Sequence, residues 1–257
     1  MKSCIAVLTR GYDDISKYCM LIKRNNHIAK NLDNKSTDIL IFHEGDIQEK
    51  HQGYIQNETP GLKIQFIDIS PIAFRNEKKN ISVKTGVRGF SLGYRHMCSF
   101  WFVNFWDAVK EYDKLLRIDE DCYIDFNIDK ILSDLDNWVF IVGGAGKDDD
   151  DVTMGLNKFS IDFINQHKNT FTFKQHDTKL PTGPYTHTMG LALDKIRNTD
   201  IFQKYKTAID ASNMIYERRW GDLPLWGEVI YYIFGSDTLN VDKNIKYFHQ
   251  SHNGSVN

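Results

Sequence analysis

Residues 115–121 read Leu-Leu-Arg-Ile-Asp-Glu-Asp, an apolar run that stops abruptly at three acids, Asp119, Glu120 and Asp121. A short apolar run bounded in this way has the length of a buried strand. Carboxylate oxygens are the ligands that hard divalent cations such as Mg²⁺ and Mn²⁺ prefer. In open α/β sheets, ligands gather outside the carboxyl ends of the strands. A strand ending in such a cluster can hold a metal against a phosphate. An acidic turn after a core strand has the same local sequence, so the flanking segments must decide between the two.

Upstream, Cys4 to Thr9 is a short apolar run ending at Arg10-Gly11, which reads as a first buried strand with a glycine turn. Asp13 opens a helical pattern through Ile15, Tyr18, Cys19, Ile22 and Ile28. Asp38 to Phe42 is a second strand, closed by His43, Glu44 and Gly45, and Leu62 to Ile69 is a third, stopped by Ser70-Pro71. Strand, helix, strand at these spacings marks a mostly parallel sheet with both faces covered. Residues 75–89 read as a polar connection. Ser91 to Lys110 has helical spacing, and its aromatic richness reads as core packing. Lys114 to Ile118 is the strand that delivers the acids.

Downstream, Trp138 to Val142 is another strand, followed by Gly-Gly-Ala-Gly-Lys and four aspartates, Asp148 to Asp151. Adjacent like charges splay into water, so these read as a solvated loop with a cation site as the other option. Phe159 to His167 and Thr199 to Ala211 are helical, and Thr182 to Leu193 is a loop running into an apolar strand. Leu223 to Phe234 is an apolar helix with Asp222 at the N-cap and Pro224 in the first turn. The tail carries His249 and His252. Repeats, low-complexity linkers and an evident domain boundary are absent from the sequence.

The chain has 257 residues, 41% hydrophobic and 13% aromatic, enough to bury a sizeable core and to argue against disorder. A net charge of -2 gives no basic footprint for nucleic acid. The four cysteines lack paired spacing, which argues against zinc, and Cys4 and Cys122 read as reduced core thiols. The sequence shows neither an apolar leader nor a run of membrane-span length. The expected setting is cytoplasmic or virus-associated, with the oligomeric state open.

Three blocks, in order, resemble the fungal α-1,2-mannosyltransferases of glycosyltransferase family 15. Tyr94 to Phe102, YRHMCSFWF, is similar to the family's YRxMCRF. Arg117 to Ile124, RIDEDCYI, is similar to its R-V-E-P-D-V, an acidic metal motif equivalent to DxD. Tyr216 to Pro224, YERRWGDLP, is similar to YERWGDAP. The resemblance spans most of the chain and is sharp at these blocks. It implies a single GT-A domain, α/β with a mostly parallel Rossmann-like sheet flanked by helices. Residues 1–125 would form the nucleotide-sugar half and 126–257 the acceptor half. It implies retaining transfer of mannose from GDP-mannose to a glycan hydroxyl, aided by Mn²⁺ or Mg²⁺.

Carried over residue by residue, Asp119 stands at the motif Glu and Asp121 at the Asp, so both are candidate metal ligands, with Asp119 also near the donor. The family's metal His falls on His252 or His249. Thr9 and Arg10 end the first strand, where base and ribose contacts are made. Tyr94 is open to stacking near the nucleotide or to core packing; Arg95 to a diphosphate fork or to a helix-surface ion pair. Asp222 is a candidate to orient or deprotonate the acceptor hydroxyl, or a plain cap. Glu217 is a catalytic carboxylate or a partner for Arg218 or Arg219. Three departures stand out. Glu120 replaces a Pro, one of the two arginines is inserted, and Gly190 occupies the place of the carboxylate proposed as the family's nucleophile.

Two other functions fit parts of the pattern. A nucleotidyltransferase also uses acidic strand ends, but the Thr9-Arg10-Gly11 turn is a poor phosphate loop. A catalytically inactive glycan-binding module on the same fold fits the absent nucleophile.

Overall fold

The structure is a computed structural model that describes residues 1–78, 90–175, 182–249 and 254–256. Twelve strands are described: β1 Ser3–Leu8, β2 Asp38–His43, β3 Lys63–Asp68, β4 Lys114–Ile118, β5 Cys122–Ile124, β6 Phe140–Val142, β7 Ala145–Lys147, β8 Thr182–Pro184, β9 Thr188–Ala192, β10 Leu239–Val241, β11 Tyr247–His249 and β12 Gly254–Val256. Seven of them form one sheet in the order β10-β6-β9-β4-β1-β2-β3. β4, β1, β2 and β3 are mutually parallel, as are β10 and β6, whereas β9 runs antiparallel to both its neighbours. β1, β2 and β4 are mostly apolar and almost wholly buried, the pattern of strands covered on both faces.

The helices follow from the crossovers such a sheet requires. α1, Cys19–Asn31, follows a single 3₁₀ turn, and Asp14 caps that turn by accepting from the Ser16 N–H at 2.9 Å. The start therefore lies one residue after the expected Asp13. α2, Glu49–Glu58, links β2 to β3 and buries only His51 and Ile55, too thin a stripe to be read from the sequence. α3, Leu92–Ser99, is capped by Ser91 and runs into a π-helical turn, Phe100–Asn104, where Phe105 N–H bonds the Phe100 carbonyl five residues back. The expected helix to Lys110 thus loses its α geometry at Phe100. The further helices are α4, Ile128–Asp134, α5, Asp150–Thr153, α6, Leu156–His167, α7, Leu193–Arg197, α8, Asp200–Ser212, and α9, Met214–Arg218. α10, Asp222–Val229, continues into a second π-helical turn, Ile230–Phe234.

One face of the sheet packs on an aromatic core in which Phe102, Phe140, Phe202 and Trp226 meet, with Trp226 stacked on Phe202 at 5.8 Å and 13°. The other face packs Ile5, Ile39, Leu116 and Ile141 beneath α1 and α4. α10 lies against β8 at a close approach that two glycines, Gly183 and Gly227, permit. A Cβ on Gly227 would stand 1.5 Å from the Thr182 carbonyl oxygen, and one on Gly183 would stand 1.8 Å from that of Leu223. That contact sets where α10 begins, and hence where Asp222 sits. All four cysteines are free thiols, and Cys4, Cys98 and Cys122 are buried. Among the described residues no helix is long and apolar enough to cross a membrane.

Candidate active site

The acidic turn joins β4 to β5 at the carboxyl edge of the sheet. Beneath it lies Arg24 of α1, fully buried, donating from Nε to the Ile118 carbonyl at 2.9 Å and from Nη2 to that of Ala6 at 3.2 Å. Burial lowers the Arg24 pKa to about 10, against the pull of Asp119, Cys122 and Glu120. The turn is also held from the β9 side, where the Asp119 N–H donates to the His187 carbonyl at 2.9 Å.

Each acid faces a different partner. Asp119 accepts a two-pronged pair from Arg117, Nε to Oδ1 at 2.7 Å and Nη2 to Oδ2 at 3.0 Å. Glu120 turns to β1, where Thr9 Oγ1 donates to its Oε2 at 2.8 Å. Its Oε1 is buried and, among the described residues, meets no hydrogen-bond donor; burial raises its pKa, the Thr9 bond opposes this, and Asp121 adds to it. Asp121 faces His249, Oδ1 to Nε2 at 3.3 Å. Strand pairing explains this last contact. β11 runs antiparallel to β5 with His249 opposite Cys122, which sets the imidazole beside the residue before Cys122.

These groups line a cleft of two lobes that share Tyr94, Met97 and Asp121. Thr9, Arg10, Tyr12, Glu44 and Glu120 line one lobe. Arg117, Asp119, Asp148, Thr186, His187, Arg219, Asp222 and His249 line the other. Each has a cavity volume near 500 Å³, the size of a small-molecule site. A cavity of similar volume opens at the opposite, amino edge of the sheet, but its lysines are already paired, Lys63 to Asp38 at 2.6 Å and Lys114 to Asp136 at 2.7 Å. We assign the site to the carboxyl edge, where the acids and His249 converge.

Not every residue singled out in the sequence reaches the cleft. Arg95 does not: it is buried, with Nη1 on the Tyr216 carbonyl at 2.5 Å and Nε on that of Phe90 at 3.3 Å, so its fork serves the backbone. Glu217 sits half-buried in α9 and lines neither lobe. Asp222 reaches the cleft but is not the N-cap. Gly221 holds that position, and Asp222 is the first helical residue, with its Oδ2 on Arg117 Nη1 at 2.5 Å and its Oδ1 3.9 Å from the Cys98 thiol. Gly190 lies inside the sheet between Leu116 and Ile141, with its missing side chain directed at Ile131 and Leu135. Asp46 locks the β1 turn by accepting from the Gly11 N–H at 2.6 Å. His252 lies outside the described residues.

Several cleft residues escape the sequence reading, among them Arg117, Arg219 and Asp148. Arg117 stands inside the opening motif, and a buried arginine within an apolar strand was the available signal. Burial works against its charge, but Asp119 and Asp222 outweigh this and raise its pKa; its guanidinium also lies 4.5 Å from the Trp101 ring. Arg219 closes α9 in the left-handed region at φ 61°. It reaches Asp148 at 2.8 Å and the Tyr94 hydroxyl at 2.8 Å, with its guanidinium 4.0 Å over Phe90. Asp148, expected in a solvated loop with a cation site as the other option, pairs with Arg219 in the cleft wall. Tyr94 lines both lobes, and burial raises its pKa.

Asp121, Cys122 and His249 bring one donor atom each to within 4.8 Å of one another. Burial raises the pKa of the Cys122 thiol, and soft sulfur is a poor match for hard divalent cations that prefer oxygen and imidazole ligands. A carboxylate oxygen and an imidazole nitrogen remain, on a face open to the cleft. That set suits a cation that accepts both N and O ligands and takes the rest from a bound phosphate, which fits Mn²⁺ and, less closely, Mg²⁺.

No protein-family model matches the chain, and no curated protein matches it by sequence. Solved structures do match its fold. The mannosyltransferase Ktr4p from S. cerevisiae superposes with a TM-score of 0.78 at 14% identity, over 96% of this chain and 70% of that one. Core-mannan synthase A from Aspergillus fumigatus, in its Mn/GDP form, does so at 0.76 and 14%, over 97% and 74%. Mouse xyloside xylosyltransferase 1 reaches 0.53 at 13% identity, over 94% and 85%. The chain has the GT-A glycosyltransferase fold. The likeness read from three sequence blocks recurs at the level of the whole fold, in structures of fungal mannosyltransferases.

Proposed function

We propose that this chain is a metal-dependent glycosyltransferase that moves a hexosyl group from a nucleoside-diphosphate sugar to a glycan hydroxyl. Mannose from GDP-mannose is the donor that the resemblance favours. The observation that carries the reading is the meeting, in one cleft at the carboxyl edge of a GT-A sheet, of the Asp121–His249 pair with the Arg117-bound Asp222. In this reading the residues 1–125 hold the donor and 126–257 shape the acceptor side. The nucleoside occupies the lobe of Thr9, Arg10 and Tyr12, and Tyr94 borders both lobes.

Asp121 and His249 would hold the cation, with Asp119 adding negative charge beside them. When bound, the cation neutralises charge on the departing diphosphate. Asp222 accepts a hydrogen bond from the acceptor hydroxyl and orients it. Its carboxylate is fixed by Arg117, which supports an orienting role over that of a free nucleophile. With Gly190 inside the sheet, retention is best served by attack on the face from which the diphosphate leaves. The hydroxyl oxygen bonds the anomeric carbon, the bond from that carbon to the phosphate oxygen breaks, and that phosphate oxygen takes the hydroxyl proton.

The test is a thermal-shift series with nucleoside diphosphates and nucleotide-sugars, with and without Mn²⁺. Stabilisation by one nucleoside diphosphate that requires Mn²⁺, followed by transfer to an oligomannoside acceptor, is the expected result. Stabilisation by a nucleoside triphosphate alone would favour nucleotidyl transfer, and by oligosaccharide alone a binding module; either would overturn the proposal.

A further inference from the structure

His187 precedes β9 and reaches three parts of the site at once. Its carbonyl accepts the Asp119 N–H at 2.9 Å, so its main chain fixes the acidic turn. Its Nε2 meets the Tyr247 hydroxyl at 2.5 Å. Its ring lies on that of His249 with centroids 4.3 Å apart and planes 18° from parallel. Tyr185 stacks on the same ring at 5.6 Å and 22°. Tyr185 is itself confined, because a Cβ on Gly144 or Gly146 would come within 2.8 or 2.7 Å of its ring. The result is a ladder of flat rings, Tyr185, His187 and His249, ending at the imidazole that faces Asp121.

Strand pairing sets the Cα of His249 but leaves its two side-chain torsions free. A cation site needs the ring plane fixed as well, since a ligand lone pair must point at the ion. His249 is the last residue of the three-residue strand β11, which lies between β5 and β12, so pairing holds its backbone and not the plane of its ring. The stacked His187 ring supplies that constraint. We propose that His187 is a positioning residue of the divalent-cation site, holding the plane of His249 by stacking and the acidic turn by its carbonyl. This rests on the reading that Asp121 and His249 hold the cation.

Mn²⁺ alone is titrated into the full chain, with free Mn²⁺ followed by electron paramagnetic resonance, for wild type, His187→Phe, His187→Ala and His187→Gln. Partners of metal-bound histidines typically contribute about 10- to 100-fold in affinity. His187→Ala is expected to bind that much more weakly, with its melting temperature in EDTA close to wild type. His187→Phe keeps the flat ring and is expected to bind like wild type. Should His187→Ala fail to fold, His187→Gln, which keeps a polar reach to Tyr247 but has no ring, carries the same expectation of loss. Wild-type affinity in the ring-less variants overturns the proposal, as does an equal loss in His187→Phe. A wild-type chain that takes up no Mn²⁺ overturns the cation reading itself, and this inference with it.

Discussion

Arg117 on β4 donates from Nη1 to Asp222 Oδ2 at the start of α10 at 2.5 Å, across a sequence separation of 105 residues. The same guanidinium grips both oxygens of Asp119. One buried cation therefore ties the acidic turn to the start of α10 through Asp222. It also separates the roles of the acids. Asp119 and Asp222 share Arg117, whereas Asp121 faces His249.

Removing that cation should be costly. Breaking a buried ion pair by deleting one partner typically destabilises a protein by about 3–5 kcal/mol, because the charge left behind is unpaired in low dielectric. Arg117→Met leaves two such carboxylates, so a loss at the upper end is expected in urea unfolding. Arg117→Lys keeps the charge but lacks the fork and should recover only part. A loss below about 1 kcal/mol for Arg117→Met would show that solvent screens the pair.

Asp222→Asn keeps the size of the side chain and its hydrogen bond from Arg117. The variant should fold and bind nucleoside diphosphate within a few-fold of wild type. If the carboxylate orients the acceptor hydroxyl, transfer should fall by about 10²-fold or more, the usual scale for a positioned acid–base group. Steady-state transfer and calorimetric nucleotide binding measured on one preparation check both halves. Transfer at the wild-type rate would reduce Asp222 to a structural partner of Arg117.

Asp121→Ala removes a partly exposed carboxylate, and its effect on the metal-free fold should stay within about 1 kcal/mol. Its effect on metal linkage should be complete. A ligand at 100 times its dissociation constant stabilises the folded state by about 2.7 kcal/mol. Wild type should gain that much from Mn²⁺ with a nucleoside diphosphate, and Asp121→Ala should gain nothing. Differential scanning fluorimetry reads both numbers, and an unchanged gain in the variant would remove Asp121 from the site.

The parts of this architecture that were legible in the sequence are those where one local signal suffices. β1, β2 and β4 are buried on both faces, so their apolar runs announce them, and the acids after Ile118 mark the edge where the cleft opens. α2 escaped because two buried residues make no periodic stripe. The antiparallel direction of β9 is set by pairing with β4 and β6, which no local pattern encodes. Arg95 and Arg219 show the same limit at the site. Both are arginines in matched blocks, yet helix phase turns Arg95 to the backbone of α9, while a left-handed residue swings Arg219 into the cleft.

The left-handed backbone of Arg219 gives a prediction that isolates strain from charge. A non-glycine residue at positive φ costs about 1–2 kcal/mol that glycine avoids. Arg219→Gly and Arg219→Ala both remove the pair with Asp148 and the contact with Tyr94 and Phe90. The glycine variant should therefore be more stable than the alanine variant by about 1 kcal/mol or more. Equal melting curves would mean that the chain leaves this conformation once the guanidinium is gone.

A final prediction concerns pH. His43 closes β2 and is buried; its Nδ1 accepts the Gly45 N–H at 3.1 Å, which requires that nitrogen to be unprotonated. Burial lowers its pKa, with Asp46 and Asp68 opposing in part. The unfolded chain's imidazole takes a proton near pH 6.5, and the folded chain resists doing so until lower pH. In that window the unfolded state binds more protons, so stability falls as pH drops below about 6.5 and levels off below the folded pKa. Because the turn after β2 packs against Gly11 and borders the lobe lined by Thr9, Arg10 and Glu44, the loss should begin there. His43→Asn offers an acceptor that does not titrate and should flatten the slope of urea midpoints between pH 7.5 and 5.5. An unaltered slope in that variant would assign the pH dependence to another group.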